Sequence, residues 1–329
     1  MKSHFHICIL GLLLLAVSGA HAQYTVKDLG TLGGPESFAY DINDLGQVVG
    51  GAADSTGVIV PFVWSKSTGM ACVGKMPNTR VANGVASAIN KTGQIAGWAV
   101  NKDGIVHPFR WTAKDGMVDL GNAFMAWGIN DAGTVVGETY AVNRHWMGFV
   151  WTKDKGVRTI GMIMPGYGSA AYDMNNQNLA VGYSQDPYGR ISPVAWIGSY
   201  TIRFLFINPN PGGIAYGVNN KNEIVGTSVG HAFLWDKYFY SKDIGTLKSN
   251  GSSKAYDIND LSQAVGCCYV AGPPARKYAF IWTAKTGLQE LKVPTTFLNA
   301  EAWAINNLGQ IVGVAWDKAG NRHAIMWSK

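Results

Sequence analysis

Ala39-Tyr40-Asp41-Ile42-Asn43-Asp44-Leu45-Gly46-Gln47-Val48-Val49-Gly50 is the stretch from which the architecture of this 329-residue chain can be read. Its skeleton is an alanine, an apolar-Asn pair ending four residues later, and a glycine seven residues beyond the Asn. The same skeleton returns six more times. The pairs are Ile42-Asn43, Ile89-Asn90, Ile129-Asn130, Met174-Asn175, Val218-Asn219, Ile258-Asn259 and Ile305-Asn306. The alanines are Ala39, Ala86, Ala126, Ala171, Ala215, Ala255 and Ala302, and the glycines Gly50, Gly97, Gly137, Gly182, Gly226, Gly266 and Gly313. A tryptophan closes each copy: Trp64, Trp111, Trp151, Trp196, Trp235, Trp282 and Trp327. The Asn-to-Asn steps of 47, 40, 45, 44, 40 and 47 residues lie in the range of propellers and solenoids.

Each copy divides into four short β-prone pieces, in the first at roughly 37–43, 47–52, 58–64 and 70–74. None contains the helical period that a βαβ unit needs. The turn after Asn43 ends at Gly46, and the matching turns end at Gly93, Gly133, Asn178, Asn222, Ser262 and Gly309. Gly and Asn suit the left-handed conformation of a tight hairpin. Each copy therefore reads as a four-stranded antiparallel meander, and seven in a ring make an all-β, seven-bladed β-propeller. A linear solenoid is the alternative, but it needs distinct end caps. The ends instead complement each other. Thr25-Val26-Lys27-Asp28-Leu29-Gly30 resembles the fourth strands Met117–Gly121 and Lys242–Gly245, while the chain stops near Trp327 with a fourth strand still owed. The 25–30 strand is expected to complete the last blade.

Residues 1–22 read as a signal peptide. Lys2 is followed by the apolar run Ile7 to Val17 and the small-x-small pattern Ala20-His21-Ala22, so cleavage is expected before Gln23 and the protein is expected to be secreted or periplasmic. The run is too short to cross about 30 Å of hydrocarbon, and no later stretch is apolar enough, so no membrane span is expected. Residues 23–329 form one domain without a linker. The formal net charge of +6 comes from scattered cations, a pattern of solubility rather than nucleic-acid binding. A monomer is expected. Cys72 and the vicinal Cys267-Cys268 lie in distant repeats, an awkward arrangement for a disulfide, and are expected to be unpaired thiols.

The chain also resembles the HAF-type probable extracellular repeat of bacteria. The resemblance rests on His231-Ala232-Phe233-Leu234-Trp235, Asp243-Ile244-Gly245-Thr246-Leu247, Ala255-Tyr256-Asp257-Ile258-Asn259-Asp260 and the opening Asp28-Leu29-Gly30-Thr31-Leu32-Gly33-Gly34. It covers the whole mature chain and implies export and repetition. It brings no activity and no catalytic residues. Copies four and five depart most, with Pro193-Val194-Ala195 replacing His-Ala-Phe in copy four.

Chemistry-bearing motifs are scarce. Asp41-Ile42-Asn43-Asp44-Leu45-Gly46 has the start of a calcium loop, but Leu45 and Ala52 stand where ligands belong. His107, His231 and His323 share one repeat column, which points to packing; His145 stands alone. The segment Gly166-Tyr167-Gly168-Ser169-Ala170 lacks the strand-to-helix turn of a nucleophile elbow. No metal site, no cofactor motif and no catalytic residue is assigned.

One column stands out. Three residues before the Asn stand Tyr40, Ser87, Trp127, Tyr172, Tyr216, Tyr256 and Trp303. Strand alternation places this −3 position with the buried −1 residue, which favours packing between blades. Aromatics around a funnel also suit stacking on a ligand. The functional expectation is a non-catalytic binding or scaffolding module for a glycan or protein ligand. Trp127 and Trp303 are its anchors, with Tyr40, Tyr172, Tyr216 and Tyr256 beside them and Glu36 and Glu301 as polar contacts. The alternative is a carbohydrate-active enzyme. Glu36 and Glu301, read as occupying equivalent loops that lead into the first and last repeats, would then be its carboxylate pair.

Overall fold

The computed structural model describes residues 24–140, 145–162, 167–198, 201–205 and 212–329. The expected signal peptide, 1–22, lies outside them. The described chain is a seven-bladed β-propeller. Its blades, each a four-stranded antiparallel sheet, cover residues 33–72, 84–119, 125–159, 169–204, 213–245, 251–290 and 297–328. The first strand of each blade is innermost. Strand order within a blade follows the chain, except that the outermost strand of blade 7 is Thr25–Asp28. That strand pairs with Arg322–Ser328, setting Val26 opposite Trp327. The two ends of the chain thus share one sheet, as the complementary ends led us to expect. Among the described residues no helix is long and apolar enough to cross a membrane.

The joined ends reproduce the contacts of an ordinary blade. His107 Nδ1 lies 3.0 Å from the Asp119 carboxylate, and His231 Nδ1 lies 2.7 Å from Asp243. In blade 7 the same contact, 2.8 Å, runs from His323 to Asp28, 295 residues away in sequence. Each of these aspartates also accepts the backbone N–H two residues on, from Gly30, Gly121 or Gly245. The histidine column is a tie between third and fourth strands.

The fixed columns have steric causes. The seven alanines are fully buried and pair with the seven glycines across the first and second strands, as Ala39 does with Gly50. A β-carbon on Gly50 would collide with the carbonyl oxygen of Phe38, and one on Gly137 with that of Met125. The third-strand Phe62 and Phe149 rings close over the same two glycines. The −1 residues pack between blades: Ile42 sits with Ala304, Val312 and Met326 of blade 7. Of the tryptophans, Trp196 and Trp327 donate their indole N–H to Gly161 O and Lys292 O, at 2.6 and 3.1 Å, while that of Trp235 is buried with no partner among the described residues. All seven hairpins after the Asn end in positive φ, including Asn178, Asn222 and Ser262. Cys72, Cys267 and Cys268 are free thiols, the first exposed and the other two buried.

These contacts separate two kinds of glycine. Gly137→Ala is expected to cost about 3 kcal/mol or more, since a backbone oxygen must move. Gly57→Ala, where φ is +84° and nothing lies within 4 Å, is expected to cost about 1 kcal/mol. Urea unfolding of both variants checks the ranking, and equal losses would contradict it.

Candidate functional site

The centre of the ring is built around the seven asparagines, each only 4–5% exposed. Within its own hairpin, each side-chain Oδ1 accepts the backbone N–H of the second and fourth residues on, at 2.9–3.1 Å. This is the local tie expected of Asn. Each Nδ2 reaches further and donates to the carbonyl of the next blade's Asn. The bonds run from Asn43 to Asn90 and so on to Asn306, which donates to Asn43, at 2.9–3.4 Å. The circle is closed. Asn90 and its Nδ2 are therefore held inside the fold, so the Asn90-Lys91-Thr92 sequon is structural.

A second circle lies just outside the first. The backbone N–H of each following residue donates to the side-chain oxygen of its counterpart in the next blade, from Lys91 through Asp131, Asn176, Asn220, Asp260 and Asn307 to Asp44. It breaks only between Asp44 and Lys91, because lysine has no acceptor. Lys91 instead pairs with Asp131 at 3.0 Å. These rings line a basin of about 330 Å³ on the hairpin face.

Three aspartates add inter-blade clamps. At position −2, Asp41, Asp173 and Asp257 each use one oxygen on the next residue's N–H, at 2.7 Å. The other oxygen takes the N–H of Ile89, Val218 or Ile305 in the following blade, at 2.8–2.9 Å. Asp41, the first residue of the calcium-like motif, thus spends both oxygens on backbone donors. These carboxyls are partly buried at the wall of the narrow central channel. Burial outweighs the hydrogen bonds, pushing Asp41 up to about 7 and Asp257 up to about 8 from an ordinary 3.8, and Asp173 in the same direction.

The aromatic column faces the channel. Every inner strand has a β-bulge at −3: Ala39 pairs with Gly50 and Asp41 with Val49, leaving Tyr40 unopposed, and the same shift recurs in all seven blades. A bulge resets the two-residue alternation. Position −3 therefore does not share a side with −1; both −3 and −2 line a channel of about 130 Å³. Tyr40, Trp127, Tyr172, Tyr216, Tyr256 and Trp303 come together there as a half-buried collar. Tyr40 stacks on Trp303 at 4.8 Å, and Trp127, Tyr172, Tyr216 and Tyr256 run ring to ring at 5.4–6.2 Å.

Glu36 and Glu301 are placed differently from expectation. Both stand on inner strands, Gly33–Ile42 and Phe297–Ile305, and not in loops. They are not equivalent either, lying seven and five residues before their Asn. Glu36 pairs with Arg322 at 2.7 Å, which holds its carboxyl below the ordinary range, the opposite of what a general acid needs. Glu301 pairs with Lys277 at 2.6 Å and accepts Trp303 Nε1–H at 2.8 Å.

Several residues at the mouth were not anticipated. Glu138 accepts Trp127 Nε1–H at 3.3 Å, and Tyr183 lies 6.1 Å from Tyr172. Trp98 and Trp316 pack with Tyr40 and Trp303 around Phe38, where Arg322 lies 4.4 Å over the Phe38 ring and Lys277 lies 4.6 Å over Trp316. Trp98, Glu138 and Tyr183 share the column directly after the fixed glycine. That variable column beside an invariant one was their signal. Ser169 is buried and accepts Gly148 N–H, a structural role.

No family model and no curated protein matches the chain. Solved structures do. Virginiamycin B lyase from Staphylococcus aureus aligns at 12% identity over 92% of this chain and 99% of its own, with a TM-score of 0.54. The β-propeller domain of the Trilobed protease from Pyrococcus furiosus, described as having an open velcro topology, aligns at 10% over 89% and 93%, with 0.59. A prolyl endopeptidase aligns at 11% over 91% of this chain and 49% of its own, with 0.64. At these identities the likeness concerns the fold alone.

The channel aspartates give the fold a pH signature. A carboxyl whose folded pKa is raised holds its proton in the fold and releases it on unfolding. The stability this confers is full below about pH 4 and is lost as pH rises through about 7–8. Between pH 5 and pH 8 the melting temperature is expected to fall less in Asp257→Ala than in the wild type. Parallel slopes would mean that the carboxyl is ionised throughout.

Proposed function

We propose that the protein is a ligand-binding propeller whose recognition surface is the collared channel mouth on the loop-bearing face. One observation carries this reading. Six of seven blades place a half-buried aromatic ring at the bulge, yet blade 2 places Ser87 there and keeps the same bulge. The fold does not need aromatics at that position, so the rings are free to serve recognition. Rigid indoles offer large contact area at low entropic cost, and Trp127 and Trp303 are each held by a carboxylate of their own blade. The ligand class is a glycan or protein surface that presents flat or apolar groups. Paired with Arg322 and Lys277, Glu36 and Glu301 serve as polar contacts and not as an acid–base pair.

The reading extends to cellular context. Membership of the HAF-type extracellular repeats and export with cleavage after Ala22 are supported by the motifs and by the apolar run that precedes Gln23. Mass spectrometry of the recovered protein should find an N-terminus at Gln23; an intact Met1 would sink the export reading.

For binding, a glycan and peptide array supplies the ligand. Trp127→Ala and Trp303→Ala are then each expected to weaken binding by about 1–3 kcal/mol while the protein still melts cooperatively near the wild-type temperature. If both variants unfold and binding merely tracks the folded fraction, the collar is core and the proposal fails.

A further inference from the structure

The channel mouth is electrically uneven. Two of its three glutamates carry their own cation, Glu36 with Arg322 and Glu301 with Lys277. Glu138 has none. Among the described residues its one polar side-chain partner is Trp127 Nε1–H, a neutral donor at 3.3 Å. It stands on the second strand of blade 3, Val135–Tyr140, opposite Met125 and Gly148. The rings of Trp127, Tyr172, Tyr183 and Tyr216 crowd this side of the mouth, with Tyr172 lying 6.2, 6.1 and 5.6 Å from the other three.

The neighbouring inner strands add no positive charge. Two residues before the collar stand Met125, Ala170 and Ile214 in blades 3, 4 and 5, whereas blade 6 has Lys254. A half-buried carboxylate without a counter-ion is expensive to keep desolvated. Burial raises Glu138 above the usual carboxylate range, and its charge adds to the burial that raises the Tyr172 and Tyr183 hydroxyls. An incoming cation would relieve the unpaired charge and gain the negative faces of the surrounding rings.

We propose that Glu138, with Trp127, Tyr172 and Tyr183, forms a binding site for an organic cation, an ammonium or guanidinium group. It rests on the channel mouth being the recognition surface and names the chemistry that one side of it selects. The group pairs with the Glu138 carboxylate while the rings cover its apolar stem. Such a group comes from a basic amino-acid side chain or from an amino sugar, and the probes separate the two.

The test is an NMR titration of the signal-less protein with Nα-acetyl-arginine amide, Nα-acetyl-lysine amide and glucosamine, using N-acetylglucosamine and Nα,Nε-diacetyl-lysine amide as neutral counterparts. Saturable binding is expected for the amino-acid amides or for glucosamine, with loss in the matching neutral compound. Glu138→Gln keeps the side chain's shape and an acceptor for Trp127, and should weaken the cation about tenfold or more. Glu290→Gln, on the exposed outermost strand of blade 6, should leave it unchanged. The wild-type comparison of each amine with its neutral form stands even if Glu138→Gln folds poorly. No saturable binding of any cation, or equal affinity for charged and neutral forms, overturns the site. Equal affinity in folded Glu138→Gln does the same. A mouth that ignores every cation yet binds a neutral array ligand through Trp303 would overturn this site and leave the broader function standing.

Discussion

Seven asparagine side chains hold this ring together, because each satisfies a hairpin and a blade joint at once. The carboxamide is the smallest neutral group that offers an acceptor and a donor at opposite corners. Here the acceptor closes the local turn and the donor crosses to the neighbour's carbonyl. Asp could make the first contact but would present an oxygen to a carbonyl in the second; Ser would reach neither. The bonds are buried, so a lost partner would leave a carbonyl unsatisfied in a dry site. Since each Asn donates to the next, the circle repeats one geometry at every joint, and a chain with six or eight copies would need a different tilt there.

That circle explains how much of the fold could be read from residue columns alone. The Ala, Asn, Gly and Trp columns are constraints of a backbone that repeats, so each announces itself seven times. Complementary ends gave the closure in the same way, and the His323–Asp28 contact is the ordinary third-to-fourth strand tie made by residues from opposite ends of the chain. Reach across the blade joint was not readable, because a single strand pattern does not say which neighbour a side chain faces. The second circle was hidden for another reason. Its members are Asp, Asn or Lys, and only the backbone N–H is common to all seven.

The candidate site was half legible. Six aromatics at one offset were visible, but their direction was not, because a period-two reading has no means of registering an extra residue. The bulge at −3 turns the ring that alternation assigns to the blade joint toward the axis, and the same extra residue lets −2 carry the three aspartate clamps. Glu36 and Glu301 show the converse error: nearness to the start of a repeat was taken for equivalence, whereas counting back from Asn43 and Asn306 separates them by two positions. Glu138 was missed because no other repeat has an acid there. A residue that occurs once in a column of Gly, Trp, Tyr, Thr, Cys and Val leaves no periodic trace.

These features divide the molecule along its axis. At the asparagine level each side-chain amide is spent on its own hairpin and on its neighbour, and that column does not vary. One strand step toward the loop face the columns diverge: Ser87 replaces a ring, Glu138 lacks a cation among the described residues, and Lys277 and Arg322 lean over Trp316 and Phe38. A position that the ring does not constrain is free to differ from blade to blade, and only such positions can make a sevenfold scaffold present an asymmetric surface to a ligand. The bulge is the hinge of that division, since it converts one residue per blade from a packing element into a wall of the channel while leaving the Ala–Gly pairing beneath it intact.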